Sequence, residues 1–417
     1  MTETLREISD IPLLHEFDDP EWGTDLASTA KDLFSRDYQG LLRLSDGSVF
    51  VYRNSQLDDL SRHPAVGHQP IEVMTSGLRH PDSLSESGVA RLLHASIFSW
   101  MPPQHRPAKQ LLNKVLSPKN VGKFREEISA FLNELIDKNL EEGIFDFRED
   151  FARMAMVHFW ATSIGVPLDV GEQLFAEGEK VQTSFLIAPT MEQTVVANKS
   201  AHVFMDLLEE AIPRAVIEER APMLEDIQES NRYLDRGDQE MDTYTAFAGS
   251  LIDGYHTSSP FITNMVYSMV EAGLQPTIPD RSPMEFATAV YQESSRLHPL
   301  VASMPRYSSE EFVYDGVRIP AGVDIHMGWF FGNRDPEVFA DPHEYQLDRS
   351  NRVKQFTYGG GHYVCVGRNV AQIMSEMTLL ELTKRSIEFE VAEEPKWAAG
   401  SMFHELHSYK VKMVARS

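Results

Sequence analysis

Cys365 is the only cysteine in the 417-residue chain, and it sits in the run TYGGGHYVCVG between Thr357 and Gly367. A lone thiol makes no intrachain disulfide. That fits a reducing cytoplasm and directs attention to what the sulfur does instead. Three readings are open. Cys365 is a buried structural residue, the usual fate of a single cysteine; or a nucleophile, with His362 close by in sequence; or a metal ligand. An amphipathic helix follows, with Val366, Val370, Ile373, Met374, Met377 and Leu380 on one face. A cysteine at such a helix start meets unpaired N–H groups and the positive end of the dipole, and both favour thiolate. Gly359, Gly360 and Gly361 free the preceding backbone to turn and let a flat ligand come close. Local spacing does not choose among the three.

Two further groups of residues are suggestive. Glu293 and Arg296 stand at i and i+3 on one helical face. In isolation such a pair is an exposed ion pair worth a fraction of a kcal/mol. The helix pattern from Met241 to Gly273 is long enough to run on the order of 50 Å. It contains Gly254, Ser258, Ser259 and Pro260 in its middle, where helix propensity should be high. Proline there removes a backbone donor and crowds the carbonyl four residues back. This is either a kink tolerated for packing or a helix opened where something must approach its backbone.

These residues need a scaffold, and the patterns describe one. LLRLSDGSVFVYR reads as two short strands joined at Asp46-Gly47. NSQLDDLSRHP follows as a helix with Asn54 as its cap. From about Pro103 to Gly273 the pattern is nearly all helical, with Gly143 closing the helix that starts near Phe124. A second strand-like region spans Val301–Met327. The last helix starts near Cys365 and reaches about Arg385, and the tail is again strand-like. The fold expected is mainly α: a single domain over residues 1–417 with small peripheral β-sheets.

Hydrophobic residues make up 42% and charged residues 24%, an ordinary globular composition. The net charge of −25 argues against nucleic acid and anionic membrane surfaces as partners. The N-terminus has no basic or apolar segment of the secretory kind. The most apolar window, from Met154 to Leu168, is too short for a bilayer span and reads as a buried helix. Against this acidic background, Pro102–Arg125 holds no acid and six basic residues: Arg106, Lys109, Lys114, Lys119, Lys123 and Arg125.

Taken in order along the chain, these features resemble the cytochrome P-450 superfamily in its soluble bacterial form, over nearly the whole sequence. The features are MPPQHRPAK before a helix, the small-residue break in the long helix, Glu293-x-x-Arg296, the NRDP run ending at Arg349, and Gly361, Cys365 and Gly367 around the thiol. Each is weak to moderate alone; the joint match is specific. Haem held by a cysteine thiolate is a known property of that superfamily, so the ligation is implied by the resemblance rather than deduced from the residues. The resemblance implies haem b (iron protoporphyrin IX) with Cys365 on the iron. It implies a charge network of Glu293, Arg296 and Arg349 bracing the haem loop. His105, Lys109 and Arg306 would meet the propionates, whose carboxylates need cations or donors. Gly254, Tyr358, Gly361, His362, Tyr363 and Gly367 would line the cofactor. The implied reaction inserts one oxygen atom from O2 into a small organic substrate.

The sequence departs from the family in two places. Tyr358 and Tyr363 stand where relatives carry Phe and a basic residue. A phenol donates a hydrogen bond to a propionate without supplying counter-charge, which leaves His362 as a candidate for that edge. In the long helix the run is Asp253, Gly254, Tyr255, His256, Thr257, with His256 where the family has an acid. Thr257 remains to hydrogen-bond oxygen, and His256 relays protons if it titrates near neutrality. The same departure keeps open an atypical enzyme that uses peroxide, couples phenols or rearranges its substrate. Trp100, Met101, Phe185, Leu186, Val301, Met402 and Phe403 occupy stretches that form the pocket in the family, and their character suggests a largely apolar substrate. The basic stretch 102–125 suits an acidic ferredoxin or flavodoxin as electron donor.

Overall fold

A computed structural model describes residues 5–36, 38, 40–76, 87–186, 189–225, 227, 232–237, 240–276 and 281–416. The chain divides into two compact units. One holds the residues up to Gln69, Gln292–Cys365 and Lys396–His407; the other holds Pro70–Tyr291, Val366–Pro395 and the chain from Ser408 on.

The first unit is built on a five-stranded mixed sheet, in the order Leu41–Arg43, Val49–Val51, Asp324–Met327, Met304–Ser308, Val66–Gly67. The first two strands pair antiparallel around Asp46 and Gly47, as the sequence predicts. Gly47 takes φ +89°, and Asp46 Oδ1 accepts the Ser48 N–H at 2.9 Å. The neighbouring pairing is parallel, Ile325 opposite Val49 and Met327 opposite Val51. Side chains alternate along a strand. Val49 and Val51 join Leu57, Leu60, Ile325, Met327 and Trp329 on one side of the sheet. Phe50 and Tyr52 join Trp22, Leu42, Phe330 and Phe331 on the other. Both faces are covered, which explains the unbroken apolar run VFVY.

The helix after this hairpin spans Asn54–Arg62, but Asn54 is not its cap. It is the first helical residue, and its amide donates to the carbonyls of Gly332 at 3.0 Å and Lys354 at 2.9 Å. Its backbone N–H goes to Asp335 Oδ2 at 2.9 Å. The side chain that looked like a local cap is used to tie together segments about 300 residues apart.

The second unit is mainly helical. Its principal helices are His105–Val115, Arg125–Glu142, Met154–Ile164, Leu168–Gln182, Met191–Ile217, Thr243–Glu271 and Arg368–Lys384. The apolar window at Met154 is a buried helix, closed by Gly165 in the left-handed conformation. Three strands, Ile387–Val391, Lys410–Ala415 and Ile144–Asp146, form its antiparallel sheet. Ile144–Asp146 interrupts the expected helical stretch. Gly143, at φ +85°, ends the preceding helix, and the tail strand supplies the partner that the sequence pattern did not reveal. A hairpin, Tyr233–Asp235 with Glu240–Asp242, is a second such interruption. Among the described residues no helix is long and apolar enough to cross a membrane.

Candidate functional site

In the first unit, Glu293 and Arg296 project from the last turns of the helix Pro283–Leu297, and both are fully buried. Arg296 grips the carboxylate as a fork, Nη2 to Oε1 at 2.7 Å and Nε to Oε2 at 3.0 Å. Arg349 Nε donates to the same Oε1 at 3.1 Å, and so does the backbone N–H of Gln346 at 3.0 Å. The remaining guanidinium donors meet carbonyls: Arg296 those of Asn333, Pro342 and Glu344, Arg349 those of Ala340, Asp341 and Glu344. Two cations thus share one carboxylate. Burial lowers the Arg296 guanidinium below its ordinary range, and the bond to Glu293 opposes the shift. The isolated-pair reading gives way to an internal frame that holds the segment Asn333–Glu344 to the helix.

That segment positions the cysteine loop. Asn333 Oδ1 accepts the Phe356 N–H at 2.6 Å, and the Thr357 hydroxyl donates to the Ser295 carbonyl at 2.9 Å. The Cys365 N–H closes the loop on the Tyr358 carbonyl at 3.1 Å. Gly359 and Gly361 take φ of +73° and +62°, which favours glycine on its own. Gly360 and Gly361 also have a packing reason to be glycine. A Cβ on Gly361 would fall 1.9 Å from the Ser61 carbonyl oxygen, and one on Gly360 2.7 Å from Ser61 Oγ. They let the loop lie on the end of the helix Asn54–Arg62. Cys365 itself is exposed, which removes the buried structural reading. The following helix begins at Arg368 with Gly367 as its cap, so Cys365 lies outside the first turn. The dipole effect, which acts within that turn, loses its footing.

Tyr363 has neighbours that the sequence did not suggest. Its ring meets the His68 ring edge-on at 4.1 Å, and the Arg306 guanidinium carbon lies 5.5 Å from its centroid. Arg306 is 4% exposed, and its one hydrogen bond among the described residues is to the Pro305 carbonyl at 3.0 Å. No carboxylate among the described residues pairs with it. Burial pushes its pKa down to about 10, with Tyr363 opposing. A guanidinium taken out of water without a counter-ion is costly, and an arriving anion relieves that cost. His362, the candidate for this edge, is exposed instead. In the same unit Val301 bridges Phe403, and the Ala302 N–H donates to the Met402 carbonyl at 2.9 Å. The three expected pocket residues of this unit therefore lie together.

In the second unit His105 opens its helix and is buried, and Lys109, one turn on, is half-buried. Trp100 is buried with the Arg236 guanidinium 5.9 Å from its ring, and Met101 is half-buried. Leu186 is half-buried, while the Phe185 side chain and residues 187–188 lie outside the described residues. The basic stretch is less uniform than its sequence. Arg106, Lys114 and Lys119 are exposed, but Lys123 pairs with Glu225 at 3.3 Å and Arg125 is half-buried against the Met377 sulfur at 3.4 Å.

The central helix runs unbroken from Thr243 to Glu271 despite Pro260. Gly254 has a packing reason: a Cβ there would lie 2.7 Å from the Trp160 ring, and Trp160 Nε1 donates to the Gly254 carbonyl at 3.0 Å. The Thr257 hydroxyl donates to the Asp253 carbonyl. His256 is buried, and burial with the Arg148 charge pushes its pKa down to about 3. Both disfavour a charged His256, which stands against the proton relay expected of it. Asp253 behaves in the opposite way: burial pushes its carboxyl up to about 7, with the Gln182 side chain opposing.

Residues 262–396 match the family model for Cytochrome P450. The chain is 23% identical to luteothin monooxygenase of Streptomyces thioluteus over 93% of both chains. It is 24% identical to 6-deoxyerythronolide B hydroxylase of Saccharopolyspora erythraea, covering 68% of this chain and 69% of the relative. Among solved structures, CalO2 aligns at TM-score 0.80 and 16% identity over 97% of this chain and all of the other. Epothilone D-bound P450epoK aligns at 0.79 and 17% identity over 97% and 99%. The family match and these relatives and structural neighbours are all bacterial cytochrome P450s, haem-b-binding oxidoreductases, and the fold is the one they share.

Proposed function

We propose that this chain is a haem-thiolate monooxygenase, one domain over its whole length, that hydroxylates or epoxidises a largely apolar secondary metabolite in a reducing cytoplasm. The observation that carries the reading is the buried, uncompensated Arg306 beside Tyr363, in the same unit as the exposed thiol of Cys365. Cys365 Sγ would hold the iron. Arg306 and Tyr363 would hold a propionate, and the resemblance gives His105 and Lys109 a propionate role as well. Arg306 supplies counter-charge and Tyr363 a hydrogen bond, which makes good the missing basic residue in the loop. The bound haem supplies activation of dioxygen, for which thiolate ligation is suited.

The chain's own residues do the rest. Val301, Met402 and Phe403 would exclude water and orient the substrate, and the resemblance gives Trp100 and Met101 a pocket role as well. Thr257 Oγ1 would hold a proton for the oxygen-binding side. Arg106, Lys114 and Lys119 would steer an acidic ferredoxin or flavodoxin by charge, so reduction slows as salt rises. The names of the relatives, luteothin monooxygenase and 6-deoxyerythronolide B hydroxylase, support a natural-product substrate of that apolar kind. One observation favours a second reading: a neutral His256 in the family's acid position suits a peroxide-driven enzyme.

Compounds that shift the ferric spin state identify candidate substrates. Each is then turned over with a surrogate ferredoxin pair under oxygen-18 gas. The reading expects product carrying one labelled oxygen and no product from peroxide alone. Product from peroxide without reductant would support the second reading, and unlabelled product would sink the first.

A further inference from the structure

Between Ala246 and Val266 the central helix is buried except at four residues: Ser250, Asp253, Gly254 and Thr257. These stand at i, i+3, i+4 and i+7, so they form one face. Tyr255 points elsewhere, stacked 6.0 Å from Trp160 and edge-on to Phe204 at 5.9 Å. His256 is buried near Arg148. The accessible face therefore carries one ionisable side chain, Asp253, and one threonine hydroxyl a turn later. Because the Thr257 hydroxyl donates its hydrogen to the Asp253 carbonyl, its oxygen is left to accept from a donor on that face.

Asp253 has no ion pair with any described cation. Among the described residues the Gln182 side chain is the one group besides burial that acts on its ionisation, and no charged side chain from the described elements packed on this helix contributes. A carboxyl so placed keeps its proton to near-neutral pH. Proton donors of that strength are the efficient ones at physiological pH.

Resting on the haem-thiolate reading above, we propose that Asp253, rather than His256, holds the proton that Thr257 passes to the oxygen-binding side. The Asp253 Oδ–H gives its proton to Thr257 Oγ1, directly or through one water. The Thr257 hydroxyl turns from the Asp253 carbonyl and gives up its own proton. Asp253 is left as carboxylate and is reprotonated from solvent; no electrons move among these groups. The family's acid is thus moved back three positions along the helix, one turn before the threonine, onto the same face.

The test uses the haem-loaded full chain. Each sample first gives its reduced, carbon-monoxide-bound spectrum. Infrared spectra of protein labelled with carbon-13 aspartate should then show a protonated-carboxyl band that titrates near neutrality and is absent in Asp253→Asn. With NADPH, a surrogate ferredoxin pair and dioxygen but no organic substrate, Asp253→Asn should raise the peroxide share of the oxygen consumed roughly tenfold. Asp253→Glu should recover part of the loss, and His256→Gln should leave the share within about twofold. The infrared titration needs no variant, so it decides even if Asp253→Asn fails to fold. No protonated aspartate at neutral pH, or an unchanged peroxide share in Asp253→Asn, overturns the proposal. A wild type without a red-shifted carbon-monoxide band overturns the haem-thiolate reading and this proposal together. A wild type with that band and an ionised Asp253 overturns this proposal alone.

Discussion

Glu293 and Asp253 are both carboxylates on helices inside this protein, yet their surroundings differ in nearly every respect. Glu293 receives four hydrogen bonds, from Arg296, Arg349 and the Gln346 backbone. Among the described residues Asp253 has only the Gln182 side chain acting on it. The first is fully paired and holds backbone in place. The second is left close to its point of protonation, on a helical face that keeps accessible surface. Burial alone therefore does not say what a charged group is for; its complement of partners does. Arg306 belongs with Asp253 in this respect, an ionisable group with no ionic partner among the described residues.

Breaking the complete set should be the most damaging change. Glu293→Gln strands two buried guanidiniums and should lower stability by about 3–5 kcal/mol, read by denaturant unfolding. A loss below about 1 kcal/mol would mean the frame is not structural. Arg306→Met tests the incomplete case, and its two readouts should move in opposite directions. Removing an unanswered cation should stabilise the haem-free protein by about 1–4 kcal/mol. The same change should weaken haem retention by roughly tenfold. If haem-free stability falls, Arg306 has a partner within the fold and the distinction collapses.

His256 sharpens the contrast through pH. Its folded pKa lies near 3, below the ordinary 6.5. As pH falls from 6.5 toward 3 the unfolded chain takes up a proton that the folded one refuses, so stability is present above that window and is lost on acidification. His256→Leu should flatten this acid limb without abolishing it, because burial also depresses His298 and His404. An acid limb as steep as wild type would place His256 in water. The smallest effect is expected at Tyr363→Phe, which removes one donor at an edge where Arg306 carries the charge. Haem retention should weaken by about 0.5–1.5 kcal/mol. A larger loss would make Tyr363 the principal anchor.

What the sequence revealed divides along the same line. Glu293 and Arg296 share a face by helical spacing, Gly143 closes its helix, and Val49–Tyr52 alternate as strand residues must; each of these is a short-range consequence of backbone geometry. The order of motifs around Cys365 carried the family resemblance. Contacts between distant segments were not legible. Nothing in the residues around His68 announces Tyr363, and nothing around Ser61 announces that Gly361 must lie on its carbonyl. Gly254 looked like an opening for a ligand because the Trp160 ring that occupies its side is 94 residues away in the chain. Asp253 was passed over in favour of His256 because a family pattern names positions, whereas protonation depends on the dielectric and partners that only the fold supplies.

Everything proposed for the site depends on Cys365 holding a haem iron as thiolate, with the buried cation Arg306 answering a propionate. The absorption spectrum of the reduced, carbon-monoxide-bound protein, taken beside that of Cys365→Ala, decides it. A strongly red-shifted Soret band is expected in the wild type, with its complete loss in the variant. A wild-type spectrum without that shift, or one that survives in Cys365→Ala, would contradict the thiolate assignment.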